Sequence, residues 1–372
     1  MLGGRVLKPD YDVVVAGAGP AGSTASRILA GKGLSVLLAE KSGPPRDKVC
    51  GGLLSKACLD LMVRIFGSGP PREAIQDPGK LGVFVVPPSG MENGFKVPGE
   101  ELLNVKRRNL DAWLAESADQ RGAELMRDCE AIAFRESGHA VKVLLNTKEG
   151  AATVTARFLI GADGIYSKTR ETISRRSVDQ RVIYAQEYHP MSRGLEDCFY
   201  MMYRGDISPT YSYVIPKGDQ LCLGVGILSA RPPRMREGMA RLKEWLARDC
   251  GVRVEDPFHL EGYSAPFGNI HFGSGNVFLV GDAAGLGNPL TGEGIGYAIG
   301  SAEAASLAIL GGAEDPVSAY TVEMKGLGDE LEGLVRGTLV MDDEEREGRV
   351  AARRQRSFSS SSRAGPGPTG TP

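Results

Sequence analysis

The sequence predicts an α/β protein in which a Rossmann-type nucleotide-binding domain is interleaved with a β-sheet domain. Three observations lead there. A β-α-β unit begins almost at residue 11 and carries a G-x-G-x-x-G turn. Two later apolar runs, at 158–161 and 277–280, each pass into a Gly-Asp turn. Between them, residues 182–228 alternate as strands.

Tyr11–Ala16 is an apolar run short enough for a buried strand, and residues 20–30 follow with a helical pattern that Gly31 and Gly33 stop. Residues 34–39 form a second buried run ending at Glu40, and 41–52 reads as loop. An amphipathic helix is expected over 109–120, with Leu110, Trp113, Leu114 and Ala118 on one face. Strands are expected at 131–134, 140–146 and 151–160. In 221–227 the odd positions are large, while Cys222, Gly224 and Gly226 leave the other face bare. Such a strand either packs under another backbone or walls a ligand. A surface helix is expected over 236–249 and a further helical pattern over 320–339. The end departs from the rest: 342–347 is acidic, 349–356 is basic, and 357–372 is Ser, Gly, Pro and Thr, so 342–372 is expected to be a disordered tail.

Composition narrows the function. The 372 residues carry 44 Lys+Arg against 46 Asp+Glu, a net charge of −2, without the basic excess of a nucleic-acid binder. No apolar run reaches transmembrane length, and residues 1–10 lack a secretory h-region. The six cysteines are scattered without a Cys-x-x-Cys pair, which excludes a zinc ribbon, leaves no metal site to expect and fits a reducing cytoplasm. Fifty glycines, about 13% against about 7% on average, fall in clusters that imply close backbone approach.

Gly17, Gly19 and Gly22 form the G-x-G-x-x-G. In such a turn the first glycine makes the bend, the second admits a pyrophosphate, and the third lets helix and strand pack closely. Ala21 lies within it, and Glu40, 18 residues after Gly22, stands where an acid binds ribose hydroxyls, with Lys41 beside it. Asp163 follows Gly161, and Asp282 follows Gly281. Gly292, Gly294 and Gly296 open an apolar helix at Ile295.

This set resembles the FAD-dependent oxidoreductases of the para-hydroxybenzoate hydroxylase-like fold, over residues 10 to about 310. The resemblance implies a discontinuous FAD-binding domain, 9–180 and 260–310, around a β-rich substrate domain, 181–259, with a C-terminal helical segment, 311–341. It implies FAD contacts from Arg107, Asp163, Asp282 and the helix start at Gly292, Gly294 and Ile295. Within the fold, Cys50-Gly51-Gly52 resembles the flavin-side segment of the geranylgeranyl reductase family. Tyr211, Tyr213, Pro216 and Lys217 resemble that family's aromatic–Pro–Lys hairpin, with Val49 and Tyr213 where the family usually has Pro and Trp. The family implies reduction of carbon–carbon double bonds in a polyprenyl chain, with Cys50, Tyr211 and Tyr213 as catalytic candidates. It also implies electrons from transient NAD(P)H or a reduced carrier protein, an isoprenoid lipid substrate, and a cytoplasmic protein in peripheral contact with a membrane. A flavin monooxygenase or halogenase of the same fold, and a non-catalytic FAD-binding protein, stay open as alternatives at this point.

Overall fold

The computed structural model describes residues 9–43, 45–174, 181–191, 194–228, 234–338 and 341–361. The opening unit is β1 (Tyr11–Ala16), α1 (Pro20–Ala30) and β2 (Val36–Glu40). Pro20 sits in the first turn of α1, where its missing N–H costs nothing. A loop leads to β3 (Leu53–Leu54) and α2 (Lys56–Phe66), where Ser55 caps the N-terminus by accepting the Cys58 N–H. Then come β4 (Ile75–Val86), β5 (Phe95–Val105), α3 (Arg107–Asp119) and β6 (Glu124–Arg127). A meander of β7 (Glu130–Ser137), β8 (Ala140–Thr147) and β9 (Gly150–Gly161) runs into α4 (Lys168–Ser174). The next stretch holds β10 (Arg181–Pro190), β11 (Cys198–Met202), β12 (Ser212–Lys217), β13 (Gln220–Leu228), α5 (Arg234–Asp249) and β14 (His259–Pro266). The chain returns through β15 (Gly273–Ser274) and β16 (Val277–Leu279), and ends in α6 (Ile295–Leu310), α7 (Pro316–Thr338) and α8 (Asp343–Ser361).

The first sheet has the order β15-β16-β9-β1-β2-β6, with β8 and β7 attached beyond β9. The β16-β9-β1-β2-β6 pairs are all parallel, with Val13 opposite both Val36 and Phe158. Val13, Val14 and Val15 have no exposed surface, because helices such as α1 and α6 cover one face and the β7–β8 hairpin the other. Parallel strands end at one edge, and a ligand is expected there. The turns after β1, β2, β9 and β16 therefore converge, and they are the four turns that the sequence singled out.

The second sheet has the order β14-β10-β13-β12-β11-β4-β5-β3. It corrects the expected domain boundaries, since β3, β4 and β5 belong here although they lie within 9–180. The reason is a parallel pairing, Cys198 opposite Gly82 through Met202 opposite Val86, that stitches β4 to β11. Pro78, Gly79 and Gly82 interrupt the alternation that would mark β4 as a strand. The bare face of β13 is covered by neighbouring rings. A Cβ on Gly224 would lie 2.0 Å from the Tyr213 ring, and one on Gly226 would lie 2.7 Å from Tyr184. On its other face, α5 packs Leu242, Trp245 and Leu246 against the sheet.

The disordered tail is also corrected. Residues 343–361 form α8, and 362–372 lie outside the described residues. Asp343, Glu344 and Glu345 occupy its first turn, where the helix dipole favours acids. Arg346 is 5% exposed and donates to the carbonyls of Ser208 (3.2 Å) and Pro209 (2.6 Å). Arg353 bonds Glu100, Glu347 bonds Ser89, and Val350 is buried. A helix with few apolar residues thus docks through charge and carbonyl contacts. Arg346→Ala is expected to lower the unfolding free energy by about 2 kcal/mol, since it strands two buried carbonyls. Urea unfolding checks this, and parental stability would mean that α8 does not hold this position in solution.

Candidate functional site

At the C-terminal edge of the first sheet, Gly17 takes φ +100° and its N–H donates to Ala39 O at 2.7 Å. A Cβ on Gly22 would stand 1.8 Å from Gly17 O, so the helix reaches this turn only because residue 22 has no side chain. Gly19 differs: a Cβ there would meet only Arg46 Nη2, at 3.5 Å. The space over Gly19 is thus open to a ligand. Glu40, 3% exposed, accepts the Ala18 N–H at 2.7 Å and the Ser42 N–H at 3.0 Å.

Arg46, which the sequence reading did not single out, reaches over this turn. Its Nε lies 3.5 Å from Glu40 Oε1, its Nη2 lies 3.6 Å from Asp111 Oδ2, and its buried Nε has no hydrogen-bond partner among the described residues. Asp111 in turn holds Arg107 through two 3.0 Å bonds. Arg107 is the first residue of α3 and 7% exposed, so it is no solvated surface cation. Burial opposes its charge, but Asp111 and then Cys50 more than offset this and keep it protonated. Glu40, Arg46, Asp111 and Arg107 form a line of alternating charge beside the cleft.

The two predicted aspartates differ. Asp163 accepts from Ser167 Oγ, the Thr169 N–H and Thr169 Oγ1, so its carboxylate is taken up at the start of α4. Among the described residues Asp282 has one such contact, Lys48 Nζ at 3.5 Å, which leaves its carboxylate available to a ligand.

A cleft of about 540 Å³ connects these groups. Gly17, Gly19, Ala21, Glu40 and Lys41 line one end. Arg107, Asp163 and Asp282 lie along it, and Cys50, Gly292, Gly294 and Ile295 line the other end. Gly22, Gly51, Gly52 and Gly281 are not in the wall and pack behind it. Helix α6 begins there with Gly294 as N-cap, no capping side chain and no acid in its first turn, so its positive end opens into the cleft.

Tyr211 and Tyr213 are a correction. Both are buried (4% and 2% exposed) and stand behind the wall, because β12 is an interior strand of its sheet. Tyr211 Oη lies against Gly292 and Tyr213 Oη meets Gln186 Nε2 at 2.5 Å. Burial holds both phenols well above their ordinary pKa, which makes them poor proton donors. Tyr263, on β14, does line the cleft, together with Tyr166 and Phe267. No local motif marks it, since only the pairing of β14 with β10 brings it there. Cys58 also lines the cleft, and burial followed by Glu293 pushes its thiol up to about 12.

Behind the Cys50 segment lies Lys217, 8% exposed, donating to Asn104 Oδ1 at 2.6 Å and Val105 O at 3.3 Å. Burial pulls its amine down to about 8. Asn104 in turn donates to Pro78 O and Pro216 O. The hairpin lysine therefore braces the segment from behind.

The cleft suits an elongated dinucleotide: open space over Gly19, the Arg46 guanidinium, whose Nε makes no hydrogen bond among the described residues, beside it, and an uncapped helix start. The residues present fit FAD. The sequence signature of the FAD binding domain family matches residues 10–193. Digeranylgeranylglycerophospholipid reductase of Methanococcus vannielii is 29% identical over 308 residues, 79% of this chain and 75% of that protein. Geranylgeranyl diphosphate reductase of Rhodobacter capsulatus is 30% identical over 310 residues, 77% of this chain and 72% of that protein. Among solved structures, a geranylgeranyl bacteriochlorophyll reductase-like protein of Thermoplasma acidophilum superposes with a TM-score of 0.80, at 22% identity, over 91% of this chain and 90% of that one.

Two glycines separate folding from binding. Gly19→Val is expected to fold and lose FAD, because the added methyls enter the open space over the turn. Gly22→Val is expected to yield no folded protein, because its Cβ would overlap the Gly17 carbonyl. Circular dichroism with flavin absorbance checks both, and full FAD retention in Gly19→Val would contradict the site.

Proposed function

The chain belongs to the geranylgeranyl reductase family of FAD-dependent oxidoreductases, and on that footing we propose that it reduces carbon–carbon double bonds in a polyprenyl chain. The observation that carries this reading is the shared end of the cleft. Cys50, with Gly51 and Gly52 packed behind it, faces the same space as the uncapped start of α6. Bound and reduced, FAD would supply the hydride for one alkene carbon, and water or an acid group would supply the proton for the other. Everything else falls to this chain.

An isolated alkene accepts hydride poorly, so the protein must fix its geometry and keep water out. Cys50, Tyr263 and Ile295 give that end of the cleft an apolar wall. The N–H groups that open α6 carry positive partial charge toward the site, which stabilises negative charge and raises the flavin's potential. Arg107, held by Asp111, keeps a fixed cation on the Cys50 side of the cleft. Cys50 shapes the slot for the alkene. Tyr211 and Tyr213 support the wall from behind.

The G-x-G-x-x-G between β1 and α1 is taken up by FAD, and the other match to that pattern, Gly365 to Gly370, lies outside the described residues, so electrons arrive from transiently bound NAD(P)H or a reduced carrier protein. No helix among the described residues is long and apolar enough to cross a membrane; the proposed lipid substrate is what calls for peripheral contact.

Two substitutions test this reading. Gly294→Asp puts a carboxylate at the cap of α6, a position that suits an acid, yet points negative charge at the flavin. FAD is expected to stay bound with a lowered reduction potential, measured by redox titration. An unchanged potential would mean that α6 does not face the ring. Cys50→Ala is expected to keep FAD and change the extent or pattern of double-bond reduction, read by mass spectrometry of prenyl products. Cys250→Ala, at the end of α5, is expected to behave as the parent. Parental products from Cys50→Ala would make Cys50 a packing residue only.

A further inference from the structure

A second cavity, of about 690 Å³, opens between α2, α6 and α7. Its floor is the face of α6 that carries Gly296, Gly300, Ala304 and Leu307. Leu61 of α2 and Met324 of α7 stand at its sides. From Gly296 to Leu307 this floor is roughly 16 Å long, at the helical rise per residue. Leu307, at the outer end, is 59% exposed, an apolar residue left open to solvent. A Cβ on Gly300 would meet nothing within 4 Å, so the floor is open there.

The groove and the flavin cleft share Cys58, Glu293 and Gly296, and so meet at the start of α6. At that junction Ser55 Oγ donates to Glu293 Oε1 at 2.8 Å, which draws the carboxylate toward the α2 cap. Glu303, on the rim, is paired with Arg64.

We propose that this groove holds the distal part of the polyprenyl chain while one of its double bonds lies at the inner end of the cleft. The assignment rests on the reductase reading above, and the shared border of the two cavities at Cys58, Glu293 and Gly296 selects the occupant. A long flexible apolar ligand presented at the cleft must continue somewhere, and a mainly apolar groove, with Glu293, Glu303 and Glu323 among its lining, adjoins the cleft at that end. The groove then sets preference for chain length, not the chemistry of reduction.

The test uses the FAD-loaded protein with geranylgeraniol and with geraniol, which is two isoprene units shorter. Gly300→Trp fills the open floor, and Leu307→Glu, on an exposed position, places charge at the outer end. Both variants are expected to weaken equilibrium binding of geranylgeraniol about tenfold or more, with geraniol binding and FAD content unchanged. If the parent binds and reduces geranylgeraniol and both variants do so equally well, the groove assignment is wrong while the reductase reading stands. A change in oligomeric state in place of chain-length preference would make the groove a contact between copies and also overturn it. If the reduced parent reduces neither alcohol, the reductase reading fails and the groove assignment falls with it.

Discussion

The closest backbone approach at the site, Gly22 against the carbonyl of Gly17, is the constraint on which the rest of the structure depends. It brings the start of α1 down onto the end of β1 and so fixes where a phosphate can sit. The same turn is tied to β2 through Gly17 to Ala39 and through Ala18 to Glu40. From Glu40 the charged line passes through Arg46 and Asp111 to Arg107, which faces Cys50. One steric contact thus anchors a series of polar contacts that extends from the nucleotide end of the cleft to the chemical end.

The two sheets divide the work. The parallel sheet gathers four turns at one edge and presents the cofactor's binding groups. The second sheet supplies what the first lacks, a further wall of the cleft, which the proposed function gives to the substrate. That wall reaches the cleft through Tyr263 on β14, with Tyr184 stacked on it and Tyr211 and Tyr213 tilted against Tyr184 behind. The tyrosine rings fill the bare face of β13, so glycine at 224 and 226 is a packing requirement of those rings. Lys217 and Asn104 join β12 to β5 directly beneath the Cys50 segment, which makes the position of that segment a property of both sheets.

How much of this was legible in the sequence follows from how local each signal is. The β1-α1-β2 unit, Glu40 and the turns at 161–164 and 281–285 carry their information within a few residues, and they stand where expected. Arg107 was legible only through resemblance, because its burial depends on Asp111 one helical turn later. Arg46 and Tyr263 gave no signal, since each reaches the cleft through pairing or folding across long sequence distances. Pro78 and Gly79 hid β4, and low hydropathy hid α8, whose docking rests on Arg346 and Arg353. Tyr211 and Tyr213 misled in the opposite direction: an aromatic alternation beside a ligand looks the same in sequence as one that packs behind its wall.

The central claim is that an alkene takes electrons from the flavin held in this cleft. The most direct measurement is the absorbance of the photoreduced protein under strict exclusion of oxygen as geranylgeraniol is added. The account predicts reoxidation of the flavin, with one double bond saturated per flavin oxidised. A flavin that stays reduced until oxygen is admitted, with no saturated prenyl product, would contradict it.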